Sequence, residues 1–152
     1  MDFMNQAICY ARRAAAHDDV PVGAVIVHDN KIIARGENLV QKHKNPTMHA
    51  EIVAINRACK KMGVKFLDDC DIYVSLEPCA MCATAISFAR IRRIFFAATD
   101  VKGGAITANA RVFDTDKHLW HPEIIQMPEY AGASAELLRE FFRARRATKK
   151  DL

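Results

Sequence analysis

The chain has no apolar run approaching the roughly 18 to 20 residues that span a bilayer, so no transmembrane helix is expected. The opening stretch MDFMNQAICYARRAAAHDD has no continuous apolar block ahead of a small-residue cleavage site. Its apolar residues recur every three or four positions, which excludes a signal peptide and points to the cytoplasm. Internal repeats, low-complexity tracts and linker-like stretches are absent too. Nothing divides the 152 residues, and one domain over 1–152 is expected. The cysteines number five, an odd count without regular spacing, which argues against a disulfide scaffold and leaves thiols free to bind metal. Charge imbalance is small: 22 basic against 18 acidic residues give +4, too mild alone to imply a nucleic-acid partner.

What charge there is gathers at the end. Arg139, Arg143, Arg145, Arg146, Lys149 and Lys150 are opposed only by Glu140 and Asp151, and a second basic run lies at Arg90 to Arg93. Both are candidate phosphate contacts, against the alternative of a solvated helix end.

Periodicity predicts a helix over Phe3–Ala16, with Phe3, Ala7, Tyr10, Ala11 and Ala14 on one face. Val20–Val27 and Lys31–Arg35, separated by His28-Asp29-Asn30, read as a hairpin, with Asn38 in the loop beyond. A second helix is expected from Asn45-Pro46-Thr47 to Met62, stopping at Gly63. Asp71–Leu76 reads as a buried strand, Glu77-Pro78 as the opening of a third helix to about Arg90, and Ile91–Ala98 as another strand. Gly103 to Pro122 has no clear period. Ile124–Met127 is a short last strand, and Ala133–Arg146 a final helix with Leu137, Leu138, Phe141 and Phe142 inward. This order implies an α/β fold, a mixed sheet with helices on both faces, antiparallel in the hairpin and parallel across the helical crossovers.

The chemistry sits in His49-Ala50-Glu51 and Pro78-Cys79-Ala80-Met81-Cys82. Residues three apart share a helix face, so Cys79 and Cys82 can reach one metal ion. Pro78 suits a first helical turn, where the positive end of the helix dipole favours the zinc-binding thiolate. His49 is placed likewise in its own helix. Three ligands of mixed nitrogen and sulfur type match a catalytic zinc site with an open position. A structural site needs a fourth ligand, and His17, His28, His43, Cys70, His118 and His121 lie at no tight spacing from the motif. Glu51 is two residues from His49, nearly opposite on a regular helix. The two converge only at a helix mouth. Cys9, Cys59 and Cys70 read as small buried hydrophobes.

His-Ala-Glu followed by Pro-Cys-x-x-Cys resembles the signature of the cytidine deaminase-like zinc enzymes, a motif that serves as a general example of base deamination. Pro21–Val25, Asn38, His49–Ile52, Ser75–Cys82 and the closing Phe141–Arg146 resemble its tRNA adenosine deaminase branch. Met48 stands where an alanine is usual, Asn45-Pro46 where Asp-Pro is common, and Lys102–Ala105 matches a Lys-Gly-Gly-Ala sub-branch. The resemblance implies a three-layer α/β/α fold with about five strands, a homodimer, and one zinc ion per subunit held by His49, Cys79 and Cys82. It implies Glu51 as proton shuttle, with Asn38 and Asp100 at the substrate; the backbone N–H groups near Ala50 or Cys79 are further candidates to hydrogen-bond the attacking water or the leaving group at the substrate. The substrate it implies is adenosine 34 of a tRNA anticodon arm, deaminated to inosine, with Lys102, Arg139, Arg143, Arg145 and Arg146 as RNA contacts. Two other readings are a deaminase of free guanine, cytosine or nucleosides using the same zinc site, and a silent RNA-binding module with a structural zinc. The basic tail argues against the first, and the three-ligand set against the second.

Overall fold

A computed structural model describes the backbone of residues 1–150 and the side chains of 1–149; Asp151, Leu152 and the Lys150 side chain lie outside the described residues. Five strands form one sheet in the order β2-β1-β3-β4-β5. These are β1 (Gly23–His28), β2 (Lys31–Glu37), β3 (Cys70–Leu76), β4 (Arg93–Ala98) and β5 (Glu123–Gln126). The β1–β2 hairpin is antiparallel, β3 also pairs antiparallel with β1, and β3–β4 and β4–β5 are parallel. The hairpin turns on Asp29 and Asn30, both at positive φ, as a two-residue connection between twisted strands requires.

Side chains alternate across the sheet and divide the core. Ile26, Ile72, Val74, Ile94 and Phe96 pack under α3 (Ala50–Met62) and α4 (Ala80–Phe88). Tyr73, Phe95 and Ala97 pack under α1 (Phe3–Ala16) and α6 (Ala131–Lys150). This is the expected three-layer α/β/α arrangement. Two four-residue helices, α2 (Val40–His43) and α5 (Val112–Thr115), complete it; each is too short to show a period in sequence.

α1 has the expected bounds but a rotated face. Met4, Ala7, Ile8, Ala11 and Ala14 are buried, while Phe3 and Tyr10 lie half-buried at its edges. The cause is the contact with β1, where a Cβ on Gly23 would stand 2.0 Å from the Ala7 carbonyl oxygen and 2.5 Å from the Ala11 nitrogen. Only a glycine permits this approach, so the small-residue face turns down. Gly23→Ala is expected to cost about 3 kcal/mol by overpacking, lowering Tm by roughly 6–12 °C for a chain of this size. An unchanged Tm in a thermal melt would mean that α1 does not sit here.

Other boundaries shift for local reasons. Val20–Val22 is not strand, since Pro21 has no amide to donate. The second long helix begins at Ala50, because the Asn45 side chain takes the Thr47 N–H in a separate turn. The third begins at Ala80, not at Glu77-Pro78. β4 begins at Arg93, after Arg90 adopts a positive φ. Along α6, Leu137, Leu138 and Phe141 are half-buried, but Phe142 is 41% exposed, contrary to the inward position expected of it. Of the three cysteines read as buried, only Cys70 is; Cys59 is half-buried and Cys9 exposed.

Candidate active site

Antiparallel β1 and parallel β3 and β4 bring four chain segments to one edge of the sheet. The end of β2 delivers Asn38, the end of β3 delivers Glu77 to Cys79, the end of β4 delivers Asp100, and the mouth of α3 delivers His49. His49 and Cys79 are the N-caps of α3 and α4, and Cys82 lies one turn into α4. The ligands therefore sit at and just inside two helix mouths.

The His49 Nδ1 atom stands 3.6 Å from Cys79 Sγ and 3.5 Å from Cys82 Sγ. All three donor atoms lie within 4.8 Å of one another. In a tetrahedral zinc site with bonds of about 2.1 Å to nitrogen and about 2.3 Å to sulfur, donors lie about 3.6 Å apart. The residues fit. Their electrostatics agree. A hydrogen bond from Cys82 chiefly, with help from His49, pulls the Cys79 thiol down to about 4. Cys82 is pushed up because its S–H is the donor in that hydrogen bond to Cys79, and burial adds to this. That shared proton is what a divalent cation displaces on binding thiolates.

Glu51 lies in the first turn of α3, 3% exposed. Burial, the largest influence, pushes its carboxyl above the usual range. It shares with His49, Asn38 and Cys79 the wall of a cavity of about 370 Å³. At the helix mouth the two-residue spacing no longer separates Glu51 from His49.

The other expected substrate residues divide. Asn38 is buried, and its Oδ1 accepts the Ala50 N–H at 2.8 Å. The backbone donor of Ala50, expected at the substrate, is thus committed to holding Asn38. Asp100 lines the cavity and shapes its loop by accepting the N–H groups of Lys102 and Gly103.

Asp100 and Gly103 also border a second trough of about 680 Å³, which runs on to Lys102, Arg139, Phe142 and Arg146. The remaining candidate RNA contacts fall elsewhere. Arg143 lies outside both cavities. Arg145 donates to the Asp18 carbonyl and stacks its guanidinium over Phe141. The run at Arg90 to Arg93, a candidate for phosphate contacts, is engaged within the chain. Arg92 and Arg93 both bind Asp71, holding its carboxyl below its ordinary value despite burial, and Arg90 lies over Phe66.

Two buried acids escaped the sequence reading. Asp19 accepts the N–H groups of Gln41 and Lys42 and so fixes the α2 wall of the cavity. Glu77 accepts from the loop after β4. For Glu77 the available signal was an acidic residue directly after a buried strand; Asp19, just past the end of α1, carried none. A second cluster, His28, Asp69 and Cys70, lies at the opposite end of the sheet. Burial, with Asp69 and Asp71 nearby, pushes its thiol up to about 11.

Residues 1–146 match the MafB19-like deaminase family. The tRNA-specific adenosine deaminase of Agrobacterium fabrum is 45% identical over 148 residues, spanning 95% of this chain and 94% of that protein. A solved structure from studies of A-to-I editing by tRNA:A34 deaminases at the wobble position superposes with a TM-score of 0.86 at 44% identity, covering 90% of this chain and 98% of the other. The guanine deaminase of Bacillus subtilis is 47% identical over a smaller region, 64% of this chain and 62% of its own, with a TM-score of 0.62.

Proposed function

The chain belongs to the MafB19-like deaminase family, and from that footing we propose that it is a single-domain, zinc-dependent hydrolase converting adenosine 34 of tRNA to inosine. The observation that carries this reading is continuity. A cavity of about 370 Å³ lined by Glu51, His49 and Cys79 shares Asp100 and Gly103 with a trough edged by Lys102, Arg139 and Arg146. A free base needs only the cavity. A nucleotide within a chain uses both.

His49, Cys79 and Cys82 would hold one zinc ion per subunit. When bound, zinc lowers the pKa of water from 15.7 to about 7, supplying a nucleophile at neutral pH. Glu51 takes a proton from the attacking water and delivers it to N1 of adenine; it then takes the second proton from the new C6 hydroxyl and gives it to the amine, which leaves as ammonia as the C6–N bond breaks and the C6 carbonyl forms. Its burial raises its proton affinity, which suits a group that must both accept and give. Asn38, its Oδ1 fixed by Ala50, has its NH₂ end available to the base. A base in an anticodon loop is already largely unstacked, so extruding it into the cavity costs less than from a duplex. Treatment with a chelator is expected to abolish inosine formation in an A34 anticodon stem-loop, and added zinc to restore it. Full activity in metal-free protein would overturn the zinc assignment.

The reading includes a homodimer working in the cytoplasm on the anticodon arm. Thiolate ligands suit a reducing compartment, and no described helix is long and apolar enough to cross a membrane. α4, AMCATAISF, is apolar on every face, a pattern that belongs to a buried helix. Yet Phe88 is 70% exposed, and Trp120 beside the same surface is 48% exposed. A second copy covering this face accounts for both. Phe88→Glu is expected to shift the protein from dimer to monomer in sedimentation at micromolar concentration. A monomeric wild-type protein under the same conditions would contradict the dimer.

A further inference from the structure

Glu77 is an acidic residue only 2% exposed, and it takes no part in the proton transfers above. Burying a carboxylate is costly unless its oxygens are satisfied. Among the described residues, every hydrogen-bond partner of that carboxylate comes from one loop. Oε2 accepts the N–H groups of Ile106 at 3.1 Å and Thr107 at 3.0 Å. Oε1 accepts the Thr107 hydroxyl at 2.9 Å and the Asp100 N–H at 3.3 Å. The loop lies directly on the carboxylate: a Cβ on Gly104 would stand 2.6 Å from the Glu77 carboxyl carbon and 2.5 Å from the Asp100 carbonyl oxygen.

The same loop forms the border between the two cavities. Asp100 and Gly103 line both, and Lys102 lines the trough. From the outer side, Asn109 donates to the carbonyls of Val101, Lys102 and Gly104. Glu77 grips the inner side, and two residues later the chain supplies Cys79. One short segment thus presents a metal ligand and shapes the substrate wall.

We propose that Glu77 is a positioning residue for substrate, clasping the 100–107 loop so that Asp100, Lys102 and Gly103 stand where the substrate enters. The role rests on the deaminase reading above but not on the identity of the substrate. Glu77→Gln keeps the shape and removes one acceptor oxygen. With the remaining oxygen turned to Ile106 and Thr107, the amide NH₂ confronts the Asp100 N–H, and the Asp100 end of the loop is released. Thr107→Val deletes a single bond and leaves the carboxylate intact.

The test measures KM, kcat, zinc content and amide exchange for the wild-type protein, Glu77→Gln and Thr107→Val. The kinetics are read on whichever of A34 stem-loop or free base the wild-type protein converts. Glu77→Gln is expected to raise KM about tenfold with kcat within about threefold, one zinc per subunit retained and faster exchange at Asp100. Thr107→Val is expected to raise KM about threefold, and it decides the matter should Glu77→Gln fail to fold. Unchanged KM in folded, zinc-loaded variants would overturn the proposal, even if Tm fell. So would loss of zinc or of kcat at constant KM, since either would place the role of Glu77 at the metal helix. Wild-type conversion of RNA tests the functional reading separately; the ratio of variant to wild type tests Glu77.

Discussion

Glu51→Gln is expected to lower kcat by three orders of magnitude or more while leaving one zinc ion per subunit. Glutamine has the size and shape of glutamate, so the packing of the first turn of α3 is preserved. What it cannot do is accept a proton. A positioned acid or base contributes typically 10²–10⁴-fold, and here one carboxylate serves both the water and the leaving amine. Its burial leaves no neighbouring solvent route to replace it. Measured on an A34 stem-loop, with zinc content determined on the same sample, a loss of 10³-fold or more at full metal loading supports the shuttle. Near-normal turnover in a zinc-loaded Glu51→Gln protein would remove Glu51 from the mechanism.

Truncation after Arg139 should weaken stem-loop binding by about 10- to 100-fold near physiological salt and flatten its salt dependence. Each phosphate contact contributes about 0.7 to 0.9 to the slope of log K against log salt. The truncation deletes Arg146 and Phe142 from the trough, together with the exposed Arg143 and Lys149. Two lost phosphate contacts reduce the slope by about 1.4 to 1.8. Point variants separate charge from packing. Arg146→Ala should reduce the slope by about one contact, whereas Arg145→Ala should leave it nearly unchanged, because Arg145 is bonded to the Asp18 carbonyl and stacked on Phe141. A truncated chain that binds as tightly as the full chain at every salt concentration would remove the tail from RNA recognition.

The metal ligands were legible in the sequence because their chemistry is written in local spacing. Pro78 before Cys79 announces a helix mouth, and a cysteine three residues on shares its face. The fold order was legible for a similar reason, since β-branched runs and 3.6-residue periods alternate cleanly from Phe3 to Ala98. The wall of the substrate cavity was not. Glu77 reads locally as a helix-opening acid, and its four donors lie 23 to 30 residues further along, in a stretch without periodicity. Ala50 and Asn38 are 12 residues apart, and nothing local indicates that the amide of one is committed to the side chain of the other. Charge was the least reliable signal. The runs at Arg90 to Arg93 and at Arg139 to Arg146 look alike on paper, but Asp71 claims two residues of the first, while in the second Arg146 lines the trough and Arg139 lines it from an ion pair with Glu136.

The central claim is that one zinc–glutamate site acts on an adenosine presented within RNA. The measurement that tests it most directly is a side-by-side determination of kcat/KM for one zinc-loaded preparation on an A34 anticodon stem-loop and on free adenosine, guanine and cytosine. The account predicts inosine in the stem-loop and no comparable turnover of any free base or nucleoside. Efficient deamination of free guanine, with the stem-loop left unedited, would contradict it.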